Sequence, residues 1–183
     1  MNAIKKWLYI RSLKSQKATM PATQGARSWK DIQTIGLLFD ASLADTRKWA
    51  STTTEKWRRE GKQVSILAFT PDSEPESNLP FPHFTKKDIN WYGRPDSSFI
   101  REFIAKPHHL VVCPEPQLTP ALQFILTVSN ADVKAGYHNE LKDTAYNLSI
   151  DLPATNNHDQ LVKELVHILS RFTQKDSAHE RTT

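Results

Sequence analysis

An α/β architecture around a mostly parallel sheet is what this sequence predicts, and three observations carry the prediction. Thr34–Phe39 and Val64–Phe69 are short continuous apolar runs, as in strands buried on both faces. Segments of helical periodicity alternate with such runs, which is the order of βαβ units. The chain has 183 residues, 38% hydrophobic and 24% charged, enough for one self-sufficient core with extensions. Helices on both faces and right-handed crossovers then give a Rossmann-like or flavodoxin-like three-layer sandwich of about five strands.

The elements follow in order. Ala3–Lys17 reads as a basic helical arm, with Ile4, Trp7 and Leu8 sharing a face. Met20–Ser28 holds Pro21 and Gly25 and reads as a linker, so residues 1–30 are set apart from an α/β domain over 31–173 and a polar tail over 174–183. The first strand, Thr34–Phe39, ends at Asp40. Ser42 followed by Asp45 is an S-x-x-D capping pattern, opening a helix through Arg59 that Gly61 stops. Val64–Phe69 is the second strand. Pro71–Pro82 is a proline- and acid-rich loop, and Phe84–Trp91 holds a short extended segment. Asp96 or Ser97 caps a helix through Ala105, bounded by Pro107. Leu110–Cys113 is a third strand. Thr119 as N-cap with Pro120 at the first helical position opens an apolar helix over Ala121–Ser129. Val133–Tyr137 and Tyr146–Leu152 are further strands. Leu161, Leu165, Ile168, Leu169 and Phe172 form the strongest helical stripe in the chain.

The net charge of +4 is unevenly spread. The first thirty residues carry Lys5, Lys6, Arg11, Lys14, Lys17, Arg27 and Lys30 and no acid, leaving 17 basic against 20 acidic residues in the remainder. Cations gathered at one end point to a polyanion: RNA, with the ribosome as one source, or an anionic membrane surface. No apolar run approaches the roughly 20 residues of a membrane span, and the expected location is cytoplasmic. The single cysteine, Cys113, excludes an internal disulfide framework and any multi-cysteine metal site.

In an open α/β sheet, ligands sit beyond the carboxyl ends of the strands. Those ends are acidic here: Asp40, then Asp72, Glu74 and Glu76, then Glu115, then Asp151. The first turn reads F-D-A-S-L-A-D, with no G-x-G-x-x-G, and no phosphate-binding G-x-x-x-x-G-K-[ST] occurs. A nucleotide would meet carboxylates there in place of amides and lysine, and no cofactor is expected. Asp40, Glu115 and Asp151 are candidates for a divalent cation and metal-dependent chemistry; the competing reading makes Asp40 a cap and Glu115 a loop residue. Cys113 reads as a core hydrophobe. His108 and His109, adjacent on a strand, point to opposite faces. No G-x-S-x-G elbow is present.

The most distinctive segment is Leu79–Pro95, L-P-F-P-H-F-T-K-K-D-I-N-W-Y-G-R-P. It interleaves Phe81, Phe84, Trp91 and Tyr92 with His83, Lys86, Lys87 and Arg94. Aromatic faces stack on unpaired bases while cations meet phosphates, which makes this a candidate RNA or partner surface. Alternatively the aromatics seal the sheet edge and the lysines face water.

Thr34–Phe172 resembles an uncharacterised family of small bacterial proteins, through the I-G-L-L-F-D opening, the central segment just quoted, the V-K-A-G-Y strand and the terminal helix. The resemblance implies a cytoplasmic protein with a basic arm and brings no catalytic residues. His109–Tyr137 is also similar to the acceptor half of heptosyltransferase-like glycosyltransferases, in which a strand, an apolar helix and an R-V-G-F/Y-like strand follow in this order. Here the last element is V-K-A-G-Y, and 183 residues leave no room for a second, nucleotide-sugar domain, so this resemblance implies fold and not activity. The expectation is therefore a non-enzymatic module whose arm engages RNA, with anionic membrane or a metal-dependent enzyme as alternatives.

Overall fold

The computed structural model describes residues 27–71, 79–138, 145–153 and 157–172. The arm helix expected over Ala3–Lys17, most of its linker, Asp72, Glu74 and Glu76, and the polar tail lie outside the described residues.

The elements run β1 (Thr34–Asp40), α1 (Ala44–Arg59), β2 (Gln63–Thr70), β3 (His83–Thr85), a 3-10 turn (Lys86–Asp88), α2 (Ser98–Ala105), β4 (His108–Cys113), α3 (Pro120–Val128), β5 (Ala131–Tyr137), β6 (Leu148–Ile150) and α4 (His158–Arg171). Six strands form one sheet in the order β3-β2-β1-β4-β5-β6, and every pair is parallel. This is the Rossmann-like order, with one more strand than the sequence suggested. The addition is β3, which overlaps only the first two residues of the Phe84–Trp91 segment expected to be extended; Lys86–Asp88 within that segment form a 3-10 turn.

The apolar runs are continuous because alternate residues serve two cores. Ile35, Leu37 and Phe39 face α1 and α4, with Trp57, Leu161, Leu165 and Leu169. Leu38, Leu67 and Val111 face α2 and α3, with Phe103, Leu122 and Phe124. A strand with both faces covered has no use for polar alternation.

The caps expected for α2 and α3 are formed, that of α1 is not, and α4 has a cap that was not expected from the sequence. Ser97, Thr119 and Asn157 each accept a backbone N–H at the start of α2, α3 and α4. Helix α1 is different: Leu43 occupies the N-cap position without a side-chain cap, and Ser42 instead turns back to Asp40. The expected S-x-x-D cap is thus not formed, because the Asp40 carboxylate takes the Ser42 hydroxyl as well as its N–H and turns the side chain away from the helix. Gly61 ends α1 with φ of +81°, its N–H bonded to Arg58 O and the Lys62 N–H to Trp57 O, the paired bonds of a left-handed helix stop.

Candidate functional site

The strand order reverses between β1 and β4, so their carboxyl ends frame the crevice where an open sheet of this kind takes a ligand. Here the chain fills that place with its own groups. Glu115 Oε1 accepts the Asp40 N–H at 2.8 Å, the Ala41 N–H donates to Phe69 O at 2.7 Å, and the Ser42 N–H donates to Asp40 Oδ1 at 2.8 Å. Three consecutive amides that could cradle a phosphate are committed internally. Arg47 Nη1 donates to Ala41 O at 2.8 Å and holds the same turn from α1.

Glu115 is half-buried. Burial, with the Asp40 carboxylate adding, pushes its pKa up to about 7 against the pull of the Asp40 N–H. Burial likewise pushes up the Cys113 thiol, the Tyr137 phenol and the Tyr146 phenol. Tyr146 donates its hydroxyl to Cys113 O at 3.0 Å, while the buried Tyr137 hydroxyl has no hydrogen-bond partner. A thiol held protonated in this way is a packing group and not a nucleophile. Of the candidate cation ligands, Asp40 and Glu115 meet, whereas Asp151 is exposed beyond β6. Among the described residues no group of three or more histidine, cysteine, aspartate or glutamate side chains is placed to hold a metal ion.

The central segment divides in two. Phe81 and Phe84 are core residues at 6% and 0% exposure, packed on Phe39 at 5.5 Å and Phe69 at 5.1 Å between ring centroids. As candidates for a partner surface these two are corrected: the short β3 needs them to seal the sheet edge. His83 is half-buried, its Nδ1 3.2 Å from Phe81 O. Beyond β3 the character changes. Lys86 and Lys87 are exposed and Trp91 is 63% exposed, its ring edge-on to Tyr92 at 5.4 Å.

The loop that presents these groups is tightly self-bonded. Asp88 Oδ2 accepts the Thr85 N–H at 2.8 Å, and Thr85 Oγ1 accepts the Lys87 N–H at 3.1 Å. The Asn90 N–H bonds to Arg94 O, and the Arg94 N–H to Asn90 Oδ1, each at 2.9 Å. Gly93, with φ of +96°, makes the reversal between them. The Arg94 guanidinium lies over the Phe124 ring at 5.8 Å and ties the loop to α3, so Arg94 anchors the platform more than it lines it.

Of the arm cations, Lys5, Lys6, Arg11, Lys14 and Lys17 lie outside the described residues. Arg27 forms an ion pair with Asp132 at the amino end of β5, Nε to Oδ2 2.7 Å, and Lys30 is exposed.

Residues 4–172 match a family of unknown function, DUF6913. The chain belongs to this family. No curated protein matches it. The DUF6913 match extends into the basic arm as far as residue 4. Among the described residues no helix is long and apolar enough to cross a membrane.

Proposed function

We propose that this DUF6913 protein is a non-enzymatic module that binds single-stranded RNA through its basic arm and the Lys86–Tyr92 loop. One observation carries the reading. A 63%-exposed tryptophan stands on a hydrogen-bonded loop, with a tyrosine at its edge and two exposed lysines four and five residues before it. Exposing that much aromatic surface has no folding benefit, whereas stacking on an unpaired base gains about 1–3 kcal/mol.

The two cationic regions start from opposite sheet edges. The arm joins the body at the amino edge, and the loop follows β3 at the carboxyl edge. A seven-residue strand separates these edges by about 23 Å, and the 26 residues before Arg27 can span at most roughly 94 Å. Both regions can therefore contact one strand of nucleic acid. The committed amides at Asp40–Ser42 and the protonated thiol support binding over catalysis.

The test is fluorescence anisotropy with labelled single-stranded RNA at 50 and 200 mM salt. Binding should weaken steeply with salt, and Trp91→Ala should lower affinity about tenfold. Deleting residues 1–26 should flatten the salt dependence. Absence of binding at low salt overturns the proposal. So does binding unaffected by both changes, or preferential capture by anionic vesicles that RNA does not compete away.

A further inference from the structure

A second surface, unrelated to the RNA-binding loop, lies along the outer edge of β2. On its inner side β2 pairs with β1 over Gln63–Phe69. On its outer side β3 pairs only with Ala68, Phe69 and Thr70. Pro80 and Pro82 precede β3, and proline cannot donate to a ladder. The Ala68 N–H points outward, to Pro82 O at 3.0 Å. Alternation then directs the N–H and C=O of Val64 and Ile66 outward too, with no strand beside them among the described residues.

Two helices wall this edge and leave a cavity of about 400 Å³ above it. From α1 the wall is Thr54, Glu55 and Arg58, and from α2 and its C-cap it is Phe99, Glu102 and Lys106. Both sets follow helical spacing, so each helix turns one face to the same groove. Ser65 Oγ, on its floor, is buried without a hydrogen-bond partner. Phe99 is 46% exposed on the rim.

We propose that this groove binds an extended segment of a partner polypeptide, which adds a strand to β2. Charge complementarity specifies the segment. Helices α1 and α2 both run from the carboxyl to the amino edge of the sheet, so Arg58 and Lys106 face each other at the groove's amino end. Glu55 and Glu102 stand one turn above them. A helical turn advances 5.4 Å, and two strand residues about 6.6 Å. The matching strand therefore carries two consecutive acidic residues beside the cations and two consecutive basic residues beside the carboxylates. Of each pair, one side chain points to α1 and the other to α2.

The probes are two fluorescein-labelled octapeptides with valine and threonine flanks around central Asp-Asp-Lys-Lys or Lys-Lys-Asp-Asp, one for each strand direction. One of them should bind the full chain. The double variant Arg58→Glu/Lys106→Glu, both sites exposed, should weaken that peptide at least tenfold. Adding Glu55→Lys/Glu102→Lys should transfer preference to the peptide of opposite charge order. Ser51→Trp, which fills the groove from α1, should abolish binding with the melting temperature retained. The proposal is overturned if neither peptide binds, if binding ignores the charge reversals, or if peptides bind only after deletion of residues 1–26. Self-association lost in the same variants would also overturn it, in favour of a second copy as the occupant.

Discussion

The two ends of β4 each withdraw a titratable group from water, His108 fully buried and Glu115 half-buried, and they pull stability in opposite directions. At the amino end, His108 is 3% exposed beside Phe103, and burial, with the Lys106 ammonium adding, lowers its pKa to about 4. At the carboxyl end, burial raises Glu115 to about 7. One end excludes a cation and the other an anion. The physical cause is shared, the low dielectric of a sheet covered on both faces. The amino end uses its dryness for packing. The carboxyl end uses it to hold a self-made bond across the crevice at which related architectures bind ligands.

The glycines that permit close packing at the two ends should give the largest effects. A Cβ at Gly136, near the carboxyl end of β5, would lie 2.3 Å from the Tyr146 ring. That ring is buried and its hydroxyl is fixed to Cys113 O, so it has no room to withdraw. Gly136→Ala should cost about 3 kcal/mol. At Gly36, nearer the amino end, the first contact is the tip of Phe103 at 2.9 Å. A smaller displacement suffices there, and Gly36→Ala should cost about 1 kcal/mol. Urea unfolding of both variants checks the order, and equal costs would remove the distinction between the ends.

The pH dependence comes next. Unfolded His108 binds a proton below about 6.5 while the folded form stays neutral down to about 4. Its contribution to stability is complete above 6.5 and is lost as pH falls through that window. Glu115 has the reverse sign. The folded form keeps its proton up to about 7, whereas the unfolded carboxyl releases it near 4.5, so stability falls as pH rises between these values. Each group is worth about 2 kcal/mol across its window, allowing for partial relaxation. Glu115→Gln, which keeps an acceptor for the Asp40 N–H, should steepen the gain in stability from pH 4.5 to 7. His108→Gln should flatten it. Parallel profiles for wild type and both variants would mean that neither end is dry.

Legibility in the sequence also differed along the chain. Strands β1, β2, β4 and β5 were readable because burial on both faces leaves unbroken apolar runs. Helices α2 and α3 were readable because Ser97, Thr119 and Pro120 have local capping chemistry. β3 was obscured because its three residues pair only at the end of β2 and carry no pattern of their own. The fate of the central aromatics was hidden for the same reason. Phe81 and Phe84 differ from Trp91 and Tyr92 only in lying before or inside that short strand. Asp40 and Glu115 were legible as residues near one sheet edge. Their direct contact was not, since it joins positions 75 residues apart. The β2 groove was not legible at all, because it is made by the short pairing of β3 beside the longer β2.

The smallest effect concerns the root of the arm at the amino edge. Arg27 is paired with Asp132, their side chains 29% and 23% exposed, while Lys30 is exposed. A partly buried pair of this kind should show a coupling of about 0.5–1 kcal/mol in a double-mutant cycle of Arg27→Ala and Asp132→Ala, declining with salt. Lys30→Ala should leave stability unchanged. For RNA the order inverts. Arg27 spends its charge on the body, so Arg27→Ala should alter affinity less than Lys30→Ala does. If Arg27→Ala weakens RNA binding more than Lys30→Ala without lowering stability, the root of the arm belongs to the binding surface and not to the fold.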